Sequence, residues 1–536
     1  MKFKYIYLTI LAGGLSLNAC VDDKGSYDRL PVNELTVEGV ETEYSVLAGI
    51  TELEINPTIK GSVLGEDESQ YKYTWYICQS TIINNDHTHT VLGNEKNLKT
   101  VVVANPGTYK LYLEITDAST GIEWVASESS LTVTTSLTTG FYLFGDDANG
   151  NVAMDFLSMP DSEGDTAVIH NIFTNSAQLK GAEDLMYTGY TYASSAIINL
   201  WAVTESGSYK LENSIQDKTI FDIDKNYNES YTFPSGLIQH PVKVLEQFPQ
   251  QYVYGYAAKY SERGFITEDG VFIASIMLGE VFSSPVNRYS LSSTKLFKPY
   301  PKAFYYWYGS ATNTSLKAIV LYDMDANCFV TVEKTGSSYS SIFTEKNCKK
   351  LVDQGGPFPW NQDKRTIVYG ENNWANSYAL MKSTENNTDF YIYKMLVRDP
   401  VNPTKVGGYS LTTTEAPELD KAKFISFSPE YPIMIYATDR TFYKYNYETK
   451  KADVVKTYDG EITYAAFDWR SRGQLDIVIC TYDASAEEDK RGTIYKYELG
   501  QTLEITPIMT GRALDKEFVY NTPLKVKKVE YRNSTR

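Results

Sequence analysis

Ile392-Tyr393-Lys394-Met395 returns as Phe442-Tyr443-Lys444-Tyr445 and again as Ile494-Tyr495-Lys496-Tyr497, so that its first tyrosine recurs at intervals of 50 and 52 residues. Each copy alternates as a strand does. Each also follows a second short strand-like run and a polar turn: Tyr378 to Met381, Ile433 to Ala437 and Leu475 to Cys480. A period of about fifty residues is the length of one four-stranded propeller blade. Ser208-Tyr209-Lys210-Leu211, just after Leu200-Trp201-Ala202-Val203, reads as an earlier copy. So does Ile319-Val320-Leu321-Tyr322-Asp323, whose hairpin runs through Met324 to Asn327 into Cys328-Phe329-Val330. Helical periodicity is nearly absent; Leu245 to Phe248 and Glu415 to Ala422 could each hold one short helical turn. The region 138–536 is therefore expected to be an all-β propeller of seven or eight blades. Its last strand, Val526 to Tyr531, is expected to close the ring against Phe141 to Phe144, leaving no open sheet edge.

Ahead of the repeat, residues 30–137 read as a small β-sandwich, with strands near Leu35 to Glu38, Tyr71 to Ile77, Lys99 to Val103 and Tyr109 to Thr116. Tyr73, Trp75 and Ile77 share one face of a strand. Pro106-Gly107-Thr108 turns into the alternation Tyr109 to Thr116, which ends in the turn Asp117-Ala118-Ser119-Thr120-Gly121. An aromatic-x-Trp strand followed by Gly-x-Tyr-x-apolar-x-apolar and an Asp turn resembles the polycystic-kidney-disease (PKD) type of immunoglobulin-like domain. The chain departs from that pattern at Cys78-Gln79, where a Gly-Asp-Gly type of turn is usual. The resemblance implies a spacer fold.

The first nineteen residues read as a lipoprotein signal peptide. Lys2 and Lys4 precede the apolar run Tyr5 to Leu17, which is too short to span a bilayer, and Leu17-Asn18-Ala19-Cys20 supplies the small residue before a cut. Cys20 is then the lipidated first residue of the mature chain, held on a membrane by its acyl chains. Residues 20–29 form an acidic linker, and Asp22-Asp23 resembles the signal that sends some Gram-negative lipoproteins to the exterior face of the outer membrane.

With 536 residues, 42% apolar and 14% aromatic, the chain has material for more than one core. Its formal charge of −17 argues against nucleic acid as a partner. Cys78, Cys328, Cys348 and Cys480 lack zinc spacing; Cys328 and Cys348 could bridge or remain buried thiols. No catalytic signature appears, no cofactor or metal is called for, and an enzyme is not expected. The four histidines include His87-Thr88-His89, in a polar loop that reads as solvated. Asp222 to Glu229 and Asp323 to Asn327 space oxygens as calcium loops do, without the turn glycine or closing glutamate, and the second reads more simply as a hairpin turn. Asp468 reads as a turn residue packing a blade. Carboxylate pairs for glycoside chemistry would be assembled across blades, which the linear order hides.

Aromatic side chains are the remaining handle for a ligand. Trp75, Trp124, Trp201 and Trp469 lie in strand patterns and read as core. Trp360 and Trp374 sit in polar, turn-rich loops and read either as ligand platforms or as lids over a blade edge, and the outward members of Tyr305-Tyr306-Trp307-Tyr308 are candidates to contact a ligand.

The whole layout resembles the PKD-like family of surface lipoproteins, whose genes commonly sit beside SusC/SusD-like outer-membrane importers. The resemblance implies a non-catalytic accessory or ligand-binding component for uptake of a glycan or peptide, with importer subunits as partners. A surface glycosidase or lyase and a structural or adhesion component are the alternatives. Close carboxylates at the propeller axis without a packing role would favour the enzyme, and a large exposed apolar patch would favour adhesion.

Overall fold

The computed structural model describes residues 32–532 apart from short breaks, the longest being 80–88, 160–165, 214–220, 229–241, 249–261, 276–284, 307–317, 334–346, 469–474 and 511–515. The chain forms two compact units, Met1–Val133 and Thr134–Arg536. The lipidation site Cys20 lies outside the described residues.

In the first unit the strands Glu43–Leu47, Glu123–Thr134, Gly107–Asp117, Tyr71–Gln79 and His89–Gly93 pair in that order as one sheet, antiparallel across the last four; Leu35–Glu38 pairs with Thr58–Gly61, and Glu52–Ile55 with Leu98–Val101. Period-two alternation puts Trp75, Ile77, Leu111, Leu113 and Ile115 into one core. Trp75 is fully buried, and its indole N–H donates to the carbonyls of Glu95 and Lys96 at 3.1 Å each. The Asp117 carboxylate accepts from Ser119 N–H (2.8 Å), Ser119 Oγ (2.7 Å) and Thr120 N–H (3.2 Å), closing the turn that Gly121 completes at φ +71°. Trp124 is only half-buried, edge-on to Tyr71.

The second unit is a seven-bladed β-propeller. Its blades, numbered in chain order, begin at Gly140–Asp146, Ala182–Tyr192, Val244–Phe248, the segment 299–306, Arg365–Asn372, Phe424–Phe427 and Glu461–Phe467. Seven apolar clusters link blade 1 to 2, 2 to 3, and so on, and the seventh joins Val478, Cys480 and Ile494 of blade 7 to Phe141, Leu143 and Leu157 of blade 1. That return contact makes the set a ring. The C-terminal strand Lys525–Arg532 pairs with Gly140–Asp146, Phe141 opposite Tyr531 and Leu143 opposite Val529, so the expected clasp forms and becomes the inner strand of blade 1.

The recurring tetrapeptide occupies the third strand of its blade each time, within Asp389–Leu396, Thr441–Asn446 and Gly492–Leu499; Ser208 to Leu211 lies in the third strand of blade 2. Such a strand is covered on both faces, which demands apolar groups on both. Ile392, Phe442 and Ile494 face the following blade, while Tyr393, Tyr443 and Tyr497 face the preceding one. The lysines share the following-blade face: Lys444 reaches the Leu503 carbonyl of blade 7 at 2.8 Å, Lys496 pairs with Asp476, and the Lys394 ammonium lies 5.7 Å from the Tyr378 ring.

One expectation is revised, and one open alternative is decided. Leu245 to Phe248 is not a helical turn but the inner strand of blade 3, held by pairing with Glu262–Thr267; within Glu415 to Ala422, Leu419–Lys421 does form one 3-10 turn. Cys348 stands opposite Val332, four residues along the strand from Cys328, or roughly 13 Å at ~3.3 Å per residue, beyond disulfide reach. Both thiols are free and buried, and burial pushes Cys348 up to about 12.

Candidate functional site

Among the described residues, the aromatics offered as ligand contacts are already occupied. Trp360 is 3% exposed, set in the cluster between blades 4 and 5 with its ring edge-on to Phe329 at 5.6 Å. Asp353 ties the loop down by accepting from Trp360 N–H (2.6 Å) and pairs with Lys405 (2.8 Å), whose ammonium lies 4.9 Å from the indole. The loop is a lid over a blade junction, and the sugar-platform reading of Trp360 gives way to a core role. Tyr305 is likewise buried, between blades 3 and 4. Tyr306 points the other way, half-buried, with the Arg398 guanidinium 4.3 Å from its ring and donating to its hydroxyl at 2.6 Å. Trp307, Tyr308 and Trp374 lie outside the described residues. Nearby, Arg365 covers the faces of Tyr391 (3.5 Å) and Phe358 (4.6 Å), a cation standing where a sugar ring would stack.

Of the metal-like spacings, Asp323 to Asn327 forms a turn and Asp222 an anchor, while the side chains from 223 to 229 lie outside the described residues. Asp323 accepts from the backbone of Asp325 (2.8 Å) and Ala326 (3.0 Å) and shapes the hairpin. Asp222 accepts from Ser176 Oγ at 2.8 Å. His87 lies outside the described residues, and among those described no three metal-ligating side chains converge. Asp155 and His170, which the sequence did not single out together, meet at 2.7 Å; the same buried carboxylate accepts from Thr522 Oγ1 (2.6 Å) and Asn171 N–H (2.8 Å), tying blade 1 to the strand Val519–Thr522.

Around the axis, a polar bridge joins each inner strand to the next. Lys528 pairs with Asp184 (2.8 Å), Lys243 with Glu183 (2.6 Å), Lys302 with Glu246 (2.7 Å), and Lys525 with Glu461 (2.9 Å). Asn372 Nδ2 donates to the Ala303 carbonyl (2.8 Å). Glu371 accepts from Ser426 Oγ (2.8 Å) and Phe427 N–H (2.6 Å), and Ser426 Oγ in turn accepts from Phe467 N–H (3.2 Å). Gly370 makes room for this ring, since a Cβ there would meet Lys302 and Phe304 at 2.9 Å. Burial pushes Glu371 up to about 7 against the hydrogen bonds that oppose it, and raises Glu246 against the pull of Lys302. These two carboxylates are 125 positions apart in sequence and both act on Tyr369, yet each has a partner across a blade junction.

Away from the axis, two adjoining open cavities of about 710 and 790 Å³ share Gln178 and Lys180. The larger runs between the loops of blade 1 and the segment 488–491 of blade 7; the smaller reaches Tyr209 of blade 2. Three residues of the larger cavity's wall, Asn171, Asn175 and Gln178, hold φ between +49° and +58°, where a side chain is strained. Asn175 fixes that loop by bonding the carbonyls of Val152 and Leu179 and the Leu179 N–H.

Residues 20–181 match the PKD-like family, a span that covers the sandwich and runs into the first blade rather than the whole chain. The fold is similar to that of a DUF4784 family protein from Bacteroides caccae (9% identity, 78% of this chain and 95% of that one, TM-score 0.28) and to the extracellular domain of BT4673 from B. thetaiotaomicron (12%, 80% and 56%, 0.32). It is also similar to PorZ, a surface component of the type-IX secretion system of Porphyromonas gingivalis (10%, 74% and 51%, 0.17). No curated protein matches the chain. Likenesses this weak carry no function, and the propeller rests on its own ring of sheets.

Proposed function

We propose that this chain is a lipid-anchored protein of the outer membrane's exterior face that binds a glycan or peptide fragment without transforming it, as an accessory of a SusC/SusD-like importer. The observation that carries the reading is a difference in commitment: the axial charges are each bonded to a neighbouring blade, whereas in the larger cavity beside blade 1 Arg491, Lys180, Asn171 and Gln178 have no such bond among the described residues. The Leu17 to Cys20 signal and the PKD-like match over residues 20–181 support the anchor and the spacer. The carboxylates that an enzyme would need have structural partners, which speaks for capture over catalysis.

Pulldown of the native protein from membranes, followed by mass spectrometry, tests this. Importer subunits and a bound fragment are expected with it; recovery of neither contradicts the proposal. A surface glycosidase or lyase is the second reading, favoured by one observation, the Glu371 carboxyl held near 7 beside Tyr369. Turnover of a glycan library that disappears in Glu371→Gln would establish it in place of the first.

A further inference from the structure

The larger cavity contains a cation that the fold does not use. Arg491, half-buried in its wall, has an Nε–H that is shielded from solvent and finds no acceptor, and among the described residues no carboxylate pairs with its guanidinium. A desolvated guanidinium without an acceptor is costly, because its planar fork of donors loses water without replacement. Lys180, on the opposite loop, is exposed and also makes no ion pair among the described residues. Asp147, a carboxylate of the same wall, is spent on its own turn, accepting from the backbones of Asn149 and Asn151 (2.8 Å each) and from Asn151 Nδ2 (2.9 Å). Glu488 stands exposed in the same wall without reaching Arg491.

The rest of the lining gives the ligand's chemistry. Asn171 and Gln178 expose amides that bond to nothing else among the described residues, the Asn149 amide beside them is shared with Asp147, and each amide offers both donors and an acceptor. Such groups suit vicinal hydroxyls, which also donate and accept. The apolar side chains beneath them are closed off: Val152 is 1% exposed, Leu524 3% and Phe173 7%. A peptide side chain would find no apolar pocket here, and a volume near 790 Å³ lies in the range of small-ligand sites.

We propose that this groove binds an acidic oligosaccharide, a sugar carboxylate taking the fork of Arg491 with Lys180 beside it, and ring hydroxyls meeting Asn149, Asn171 and Gln178. The inference rests on the capture reading above and names its ligand class and site. Bidentate pairing of a carboxylate with the terminal nitrogens of Arg491 would give its guanidinium the counter-charge it lacks among the described residues.

Calorimetric titration of the full chain with trisaccharides of galacturonate, glucuronate and mannuronate, with maltotriose and with an acidic tetrapeptide tests it. At least one uronate trisaccharide is expected to bind about tenfold or more tightly than maltotriose. Arg491→Gln is expected to erase that preference, Arg491→Lys to restore only part of it, and Gln178→Ala to weaken both sugars alike. Binding of no uronate, equal binding of maltotriose, an unchanged preference in Arg491→Gln, or a tetrapeptide bound as tightly would overturn the assignment. Pulldown of importer subunits by the Arg491→Gln chain separates the two claims, since their recovery leaves the accessory role standing when the groove fails.

Discussion

The propeller axis and the groove beside blade 1 are both polar, and they treat charge in opposite ways. At the axis, Lys302 and Glu246 are mostly buried and bonded to each other across a blade junction, and Glu371 spends both oxygens on blade 6. In the groove, Arg491 and Lys180 stand without a carboxylate among the described residues. Removing an ion from water is expensive, so a buried one is retained only with partners. An axis so arranged acts as a seam that sets blade against blade. A groove of uncommitted donors is poised to exchange water for a ligand.

The comparison is broken most severely by opening the ring. Deleting residues 525–536 removes the inner strand of blade 1, exposes the edge of Gly140–Asp146 and uncovers Val526 and Val529 neighbours; a loss above ~5 kcal/mol is expected, seen as the absence of a cooperative urea transition. A truncated chain that melts like the full one would mean the clasp is dispensable. Next, Lys302→Met leaves Glu246 buried without its cation, at an expected cost of about 3–5 kcal/mol, and Lys302→Met with Glu246→Leu together should recover much of it. Trp360→Ala should cost a similar ~3–5 kcal/mol through the cavity left between blades 4 and 5, with ligand affinity unchanged.

A smaller effect distinguishes the axis by pH. The Glu371 carboxyl titrates near 4.5 when unfolded and about 7 when folded. Between those values the folded chain keeps a proton that the unfolded chain has lost, so stability falls as pH rises from about 4.5 to about 7, by up to ~3 kcal/mol. Glu246, raised in the same direction, adds to that slope. Glu371→Gln should flatten the slope in urea midpoints across this window; an unaltered slope would show that Glu371 does not carry it.

Much of this architecture was legible in the chain, because a strand covered on both faces must repeat its apolar groups. Ile392, Phe442 and Ile494 with their following tyrosines therefore reported the blade period, and Val526 to Tyr531 could be matched to Phe141 to Phe144. The site was not legible in the same way. Polar, turn-forming neighbours left Trp360 open between a platform and a lid, and it is Asp353, seven residues earlier, that pulls the loop onto the blade. Glu246 and Glu371 belong to different blades, and Arg491 joins Asn149 and Asn171 only when the ring closes and brings blade 7 beside blade 1. Local pattern sets the blades, whereas ring closure assembles what lies between them.

The central claim is that structural charge and ligand-binding charge occupy separate places in this propeller. Measuring urea stability and uronate-trisaccharide affinity for Lys302→Met and Arg491→Gln side by side tests it most directly. Stability lost at Lys302 with affinity intact, and affinity lost about tenfold at Arg491 with stability within ~0.5 kcal/mol, is the predicted result. Affinity lost at Lys302 and kept at Arg491 would contradict it and move the ligand to the axis.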